Sequence, residues 1–322
     1  QVYRGTTIAI CEGLRYITTN IKEAKPTCVL MVPVMLEMFY KGIMKKINSD
    51  PKTAKKLKTG IKLSRFLLKF KIDIRKKLFA QIHETFGGRM RLIILGGAPV
   101  NPDMLQFFQD IGFLCVQGYG LTECAPILAL NRDVDFKNEA AGLPLPGSEV
   151  KILDPDEDGI GEVGARGDNV FMGYYKDPEA TAAALDPEGW YHTGDLGYID
   201  KDGFCIITGR KKNVIIAKNG KNVFPEEIEY LLSLSPYVAE SVVSGETDAI
   251  KDDIIICATI FPDMDEVNNK LGEGASDGDI EKLLKEVADG VNEKLSNYKK
   301  IKKVVLRKTE FEKNTSKKIK RY

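Results

Sequence analysis

Arg91-Leu92-Ile93-Ile94-Leu95 runs straight into Gly96-Gly97-Ala98-Pro99, and Leu114-Cys115-Val116-Gln117 runs into Gly118-Tyr119-Gly120. Each apolar run is too short for a helix and is bounded by turn residues, so each reads as a buried strand. Between them Asn101 stands before Pro102 as an N-cap before a first-turn proline, which predicts a helix. Strand, glycine turn, helix, strand is the grammar of a doubly wound α/β sheet. Ligands in such sheets sit beyond the carboxyl ends of the strands, where both glycine turns fall.

Upstream, Cys28 to Val32 reads as a further buried strand after Pro26-Thr27, and Val34 to Ile47 as a helix. From Lys55 to Phe86 the pattern is basic and amphipathic, which predicts a surface helix pair with an apolar face. Downstream of Gly142 the texture changes. Short strands at Glu149–Leu153, Gly161–Ala165 and Gly203–Thr208 lie between Gly, Pro and Asp turns, which suggests a small all-β, barrel-like unit. After Arg210-Lys211-Lys212 come a strand at Val214–Ala217, the turn Lys218-Asn219-Gly220-Lys221 and a helix opened by Pro225. Strands at Ala239–Ser244 and Ile254–Phe261, a polar acidic stretch and a helix over Ile280–Leu295 complete a compact α+β unit. The predicted organisation is therefore a partial α/β subdomain (1–141), a β-barrel-like subdomain (142–209), a hinge (210–212) and a C-terminal α+β domain (213–322).

Net charge is +1 over 322 residues, which gives no global reason to expect a nucleic-acid partner. The charge is unevenly spread. Residues 41–91 hold 16 Lys and Arg against 3 Asp and Glu, so this stretch is able to meet anionic lipid as well as solvent. Six scattered cysteines without a CxxC pair, and only two histidines, argue against zinc and for free thiols. A reducing, cytoplasmic setting is the expectation, with membrane association through the basic stretch.

Four strings carry chemistry. Tyr119-Gly120-Leu121-Thr122-Glu123 offers a hydroxyl to phosphate and a carboxylate to Mg2+, or else is an ordinary strand-to-helix turn. Thr193-Gly194-Asp195 offers a carboxylate to ribose hydroxyls, or is a turn between strands with His192 beside it. Gly209-Arg210-Lys211-Lys212 offers a cation to ribose or phosphate, or is a solvated linker. The basic tail Thr315-Ser316-Lys317-Lys318-Ile319 is by itself a frayed terminus.

In this order and spacing the strings resemble the adenylate-forming superfamily, which includes acyl-CoA synthetases, luciferases and the adenylation domains of peptide synthetases. Gly161-Glu162-Val163 with Arg166-Gly167 and Gly173-Tyr174 is similar to one of its segments, and Gly209-Arg210 through Pro225-Glu226-Glu227-Ile228-Glu229 to another. The stretch Pro26-Thr27 to Val32-Pro33 and Glu37 looks like the long-chain fatty acyl branch.

The resemblance implies ATP, AMP, Mg2+ and coenzyme A as ligands, with a fatty acid as the acid substrate. It implies that Gly96, Gly97, Ala98 and Pro99 lie along adenine. Tyr119 and Thr122 would contact adenine and the α-phosphate, and Glu123 would bind Mg2+. Asp195 would take the ribose hydroxyls with help from Arg210. Lys212 would be the hinge, Lys318 the adenylation lysine, and Gly220 part of the pantetheine path. Lys317 replaces a usual glycine, which leaves the role open between Lys317 and Lys318.

The family's Ser/Thr/Gly-rich triphosphate loop with its lysine does not occur in the chain, which starts at Gln1. The expectation is a C-terminal portion of a longer ligase that does not make acyl-CoA on its own. An acyl-carrier-protein ligase, an aryl-CoA ligase and a non-catalytic membrane-surface relative are the alternatives.

Overall fold

The computed structural model describes residues 5–217, 220–248, 253–314 and 319–321. Helix α1 (Ile17–Ala24) precedes strand β1 (Cys28–Met31), and helices α2 (Pro33–Asn48), α3 (Pro51–Leu68), α4 (Arg75–Leu78) and α5 (Ala80–Thr85) follow. Then come β2 (Leu92–Leu95), α6 (Pro102–Asp110), β3 (Leu114–Gly120), β4 (Ile127–Leu130) and β5 (Leu143–Pro144). These five strands form one sheet in the order β1-β2-β3-β4-β5. Strands β1, β2 and β3 are parallel, with Leu30, Ile94 and Val116 in one register row, and β4 runs antiparallel to β3.

Phe86, Ile93, Leu95, Phe108, Ile111 and Phe113 are fully buried in the core beneath this sheet. Asn101 accepts from the N–H groups of Asp103 and Met104 at 2.7 and 3.1 Å, and so caps α6 as its sequence predicts. Asp50 caps α3 in the same way, with Pro51 at the first helical position. Helix α3 lies close on its neighbours at Gly60, where an added Cβ would stand 3.2 Å from Leu78 and 3.3 Å from Phe79. Its Arg65 forks onto the buried Asp110 of α6 at 2.8 and 2.5 Å.

Strands β6 (Ser148–Leu153), β7 (Gly161–Gly167), β8 (Tyr191–Ile199) and β9 (Cys205–Arg210) form a four-stranded sheet in that order, with helix α7 (Pro178–Ala184) between β7 and β8. Among the described residues no strand pair closes this sheet into the expected barrel. Trp190 is 6% exposed, with the Lys151 ammonium 4.0 Å from its ring centre and the Arg166 guanidinium carbon at 4.5 Å.

The remaining elements are β10 (Ile215–Ile216), β11 (Asn222–Val223), α8 (Pro225–Ser233), β12 (Val238–Asp248), β13 (Asp253–Pro262), α9 (Met264–Leu271), α10 (Asp277–Asn292) and β14 (Ile301–Leu306). Strands β12 and β13 are antiparallel, β13 and β14 parallel. Val223, Ile228, Leu232, Ala258, Ile260 and Leu284 are fully buried between this sheet and its helices. Backbone contacts divide the chain into two units. One holds 1–152, 164–193 and 199–206, the other 153–163, 194–198 and 207–322. Among the described residues no helix is long and apolar enough to cross a membrane.

Candidate nucleotide site

The first unit presents one turn beside a strand end. Leu95 and Gln117 are register partners, so the Gly96–Pro99 turn leaves β2 next to the Gly118–Gly120 end of β3. Gly97 has φ +90°, a conformation L side chains rarely adopt, and Gly97, Ala98 and Pro99 are exposed beyond the strand.

Gly118 and Gly120 have a different physical role from the one the sequence suggests. The expected turn is extended strand: β3 continues to Gly120 and pairs with β4, Gly118 opposite Leu130 and Gly120 opposite Ile127. A Cβ on Gly120 would lie 1.9 Å from the Pro126 carbonyl oxygen, and one on Gly118 would lie 2.7 Å from Leu130. These glycines let a second strand approach, which leaves the backbone past them free to turn. Tyr119, between them, packs against the Cys124, Leu128 and Tyr191 cluster.

Thr122, Glu123 and Cys124 form a single 3-10 turn with Cys124 fully buried. The loop after β7 holds this turn from behind. Phe171 N–H donates to the Glu123 carbonyl at 2.8 Å, and the Asn169 amide donates to the Cys124 carbonyl at 3.1 Å. The Tyr174 hydroxyl donates to the Glu123 carboxylate at 3.1 Å. Tyr174 in turn hydrogen-bonds Tyr191, which is 3% exposed. Burial pushes both phenols up, and the neighbouring Glu123 carboxylate adds to that shift, so both stay protonated as donors. Tyr174 stands in the sequence only as part of the Gly173-Tyr174 string, and nothing in its spacing from Tyr191 signals that the two meet.

In the second unit, Asp195 is 4% exposed and receives Arg210 Nε at 2.6 Å. The expected Thr193-Gly194-Asp195 turn is instead the middle of β8, with Gly194 at φ +70°. Glu162, 8% exposed, accepts the Gly194 N–H at 3.0 Å and the Lys211 ammonium at 2.9 Å. Two buried carboxylates are thus held by two consecutive cations, Arg210 and Lys211. Buried charges of this kind persist only when paired. The sequence pointed to Asp195 and Arg210 but not to Glu162, whose partners lie 32 and 49 residues away.

Lys212 lies in the 3-10 turn Lys211–Asn213 and is exposed. Its neighbour Asn213 is buried and donates to Glu226 of α8 at 2.7 Å. Gly220 has φ +75° and open space around it, in the hairpin turn between β10 and β11. His192 is in β8 with Nε2 3.9 Å from the Asp186 carboxylate. Lys317 and Lys318 lie outside the described residues, as do Lys218 and Asn219.

Among the described residues no group of three or more His, Cys, Asp or Glu could hold a metal. Glu123 therefore fits Mg2+ only in the way that ion binds nucleotides, through one or two carboxylates completed by phosphate oxygens and water. A half-buried carboxylate held by a neutral donor suits that donor set.

A family model described as AMP-binding enzyme matches residues 2–175, and one described as AMP-binding enzyme C-terminal domain matches residues 227–318. The long-chain-fatty-acid–CoA ligase FadD15 of Mycobacterium bovis is 32% identical over 289 residues, 85% of this chain and 47% of the relative. The human long-chain-fatty-acid–CoA ligase 1 is 31% identical over 294 residues, 87% of this chain and 41% of the relative. The chain thus spans less than half the length of these curated relatives. The solved structure of Bacillus subtilis o-succinylbenzoate coenzyme A synthetase in complex with ATP and magnesium ion is 25% identical. It matches with a TM-score of 0.66 over 95% of this chain and 53% of that one.

Proposed function

The chain belongs to the AMP-binding enzyme family, and from that premise we propose that it serves the ATP-dependent joining of a fatty acid to coenzyme A. The acid's carboxylate attacks the α-phosphate of ATP, the bond to pyrophosphate breaks, and an acyl-adenylate forms. The thiol of coenzyme A then attacks the acyl carbon and AMP leaves. Gly96, Gly97, Ala98, Pro99 and Tyr119 line the adenine. Thr122 donates to the α-phosphate, and Glu123 would hold Mg2+, which would supply charge stabilisation to the phosphate oxygens. Asp195 and Arg210 orient the ribose. Lys318 is the lysine that stabilises charge in the first step, Lys212 the hinge that exchanges it for the Gly220 region in the second.

The observation that carries this reading is the buried Asp195 carboxylate, held by Arg210 at 2.6 Å directly after Gly194 at φ +70°. A nearly buried carboxylate with a fixed rotamer is suited to reading hydroxyls. Calorimetric titration with AMP and with 3′-deoxy-AMP tests it. Asp195→Asn should weaken AMP by roughly tenfold and abolish the preference over the deoxy analogue. Equal preference in parent and variant would remove Asp195 from the ribose.

A long-chain acid is favoured by the names of the two ligase relatives. Acyl-carrier-protein or aryl-acid ligation is the alternative, and competition among acids of graded length in the first step separates them. For residues 41–91 we propose contact with anionic lipid. Phe66 and Phe70 are 57% and 63% exposed with ring centres 5.3 Å apart, amid exposed Lys62, Lys69 and Lys71.

A further inference from the structure

On the function proposed above, Glu123 is the metal-facing carboxylate of the first unit, and its side chain has three torsions to settle. The backbone of its turn is fixed without help from Tyr174, through Phe171 N–H on the Glu123 carbonyl at 2.8 Å and Asn169 on the Cys124 carbonyl at 3.1 Å. The Tyr174 hydroxyl therefore acts on the carboxylate alone. Its own placement is built in several layers. Thr181 of α7 accepts the Tyr174 N–H at 2.9 Å. The same threonine closes on Gly173, where a Cβ would meet it at 2.6 Å and where φ is +143°. The Phe171 ring meets Tyr174 edge-on at 4.8 Å and Tyr191 at 5.3 Å. Tyr191, in the buried cluster with Cys124 and Leu128, hydrogen-bonds the Tyr174 hydroxyl.

We propose that Tyr174, oriented by Tyr191, is a positioning residue that sets the Glu123 carboxylate for a metal-bound nucleotide phosphate. The inference rests on the role given to Glu123 above. A phenol donor fixes one carboxylate oxygen without adding charge, and leaves the carboxylate its full attraction for a divalent cation. A lysine or arginine in the same place would compete with the cation. Outer partners of metal-binding side chains act in this way in general, and their loss lowers metal affinity by about 10–100-fold. Tyr174 is 38% exposed, which places the expected effect at the low end.

The test uses Mn2+ as a paramagnetic substitute for Mg2+, titrated into the full chain with α,β-methylene-ATP and followed by electron paramagnetic resonance. Adenosine affinity is measured in parallel. Tyr174→Phe should weaken Mn2+–nucleotide binding by roughly tenfold and leave adenosine affinity unchanged. Tyr191→Phe should move Mn2+ in the same direction by less. If Glu123→Gln weakens Mn2+ binding while Tyr174→Phe does not, the positioning role is wrong and the role of Glu123 stands. If Tyr174→Phe weakens Mn2+ and adenosine alike, the tyrosine only supports the fold and the proposal fails. If Glu123→Gln itself changes nothing, the assignment of Glu123 falls and the tyrosine inference falls with it.

Discussion

Gly120 shows how a single missing atom sets the site. With 1.9 Å between an added Cβ and the Pro126 carbonyl, Gly120→Ala must push β4 away from β3. The expected cost is about 3 kcal/mol, the scale of overpacking in a closed interior. Urea unfolding should show it as a lower midpoint at an unchanged slope. A midpoint within error of the parent would mean that β4 yields freely. The string around Gly120 reads in the sequence as a candidate ligand-facing motif. The physical reason for its glycines was not legible, because the crowding atom is the carbonyl oxygen of Pro126, six residues later and just before a strand that no periodicity announced. Glu162 and Tyr174 were hidden for a related reason: their significance lies in side-chain contacts 32 to 51 residues apart in sequence. Asp195 was easier, since an acid after a glycine already suggests a fixed carboxylate.

Among the elements, those with strong local signals were legible. Runs such as Leu92–Leu95 have apolar side chains throughout and turn residues behind them. The Asn101-Pro102 start of α6 carries its own cap. Helix α9 (Met264–Leu271) was missed within the polar stretch, for only Val267 of its residues is buried. The start of α10 was placed late, although Ser276 and Asp279 form a reciprocal cap. At α8 the element-level consequence is a pH dependence. Glu229 accepts the Val243 N–H at 2.6 Å and pairs with Arg321, yet burial pushes its carboxyl up to about 7 from the ordinary 4.5. Arg321 and the Val243 amide oppose the shift, and Glu226 on the same helix reinforces it. A raised carboxyl contributes stability that is complete below the unfolded value and is lost as pH rises through the folded one. The stability of the parent relative to Glu229→Gln should therefore fall between pH 4.5 and about 7 and level off above. The slope should be at most about 1.4 kcal/mol per pH unit. Parallel stability–pH curves for the two proteins would show that Glu229 does not titrate there.

At the scale of the molecule, a net charge of +1 hides a strong separation, with +13 on residues 41–91 and −12 on the rest. If the basic stretch meets lipid as proposed, the full chain should sediment with vesicles that contain phosphatidylglycerol. It should be released as salt is raised, since screening shortens the reach of each lysine. Phe66→Ser with Phe70→Ser should weaken the binding that remains at moderate salt. Equal sedimentation with neutral vesicles would exclude an electrostatic contact. The chain also carries one tryptophan in 322 residues. Trp190 is flanked by two cations and precedes Tyr191, the innermost hydroxyl behind Glu123. All indole emission from the molecule therefore originates one peptide bond from that tyrosine, so fluorescence yield and lifetime report the electrostatic surroundings of the carboxylate's support without any added label.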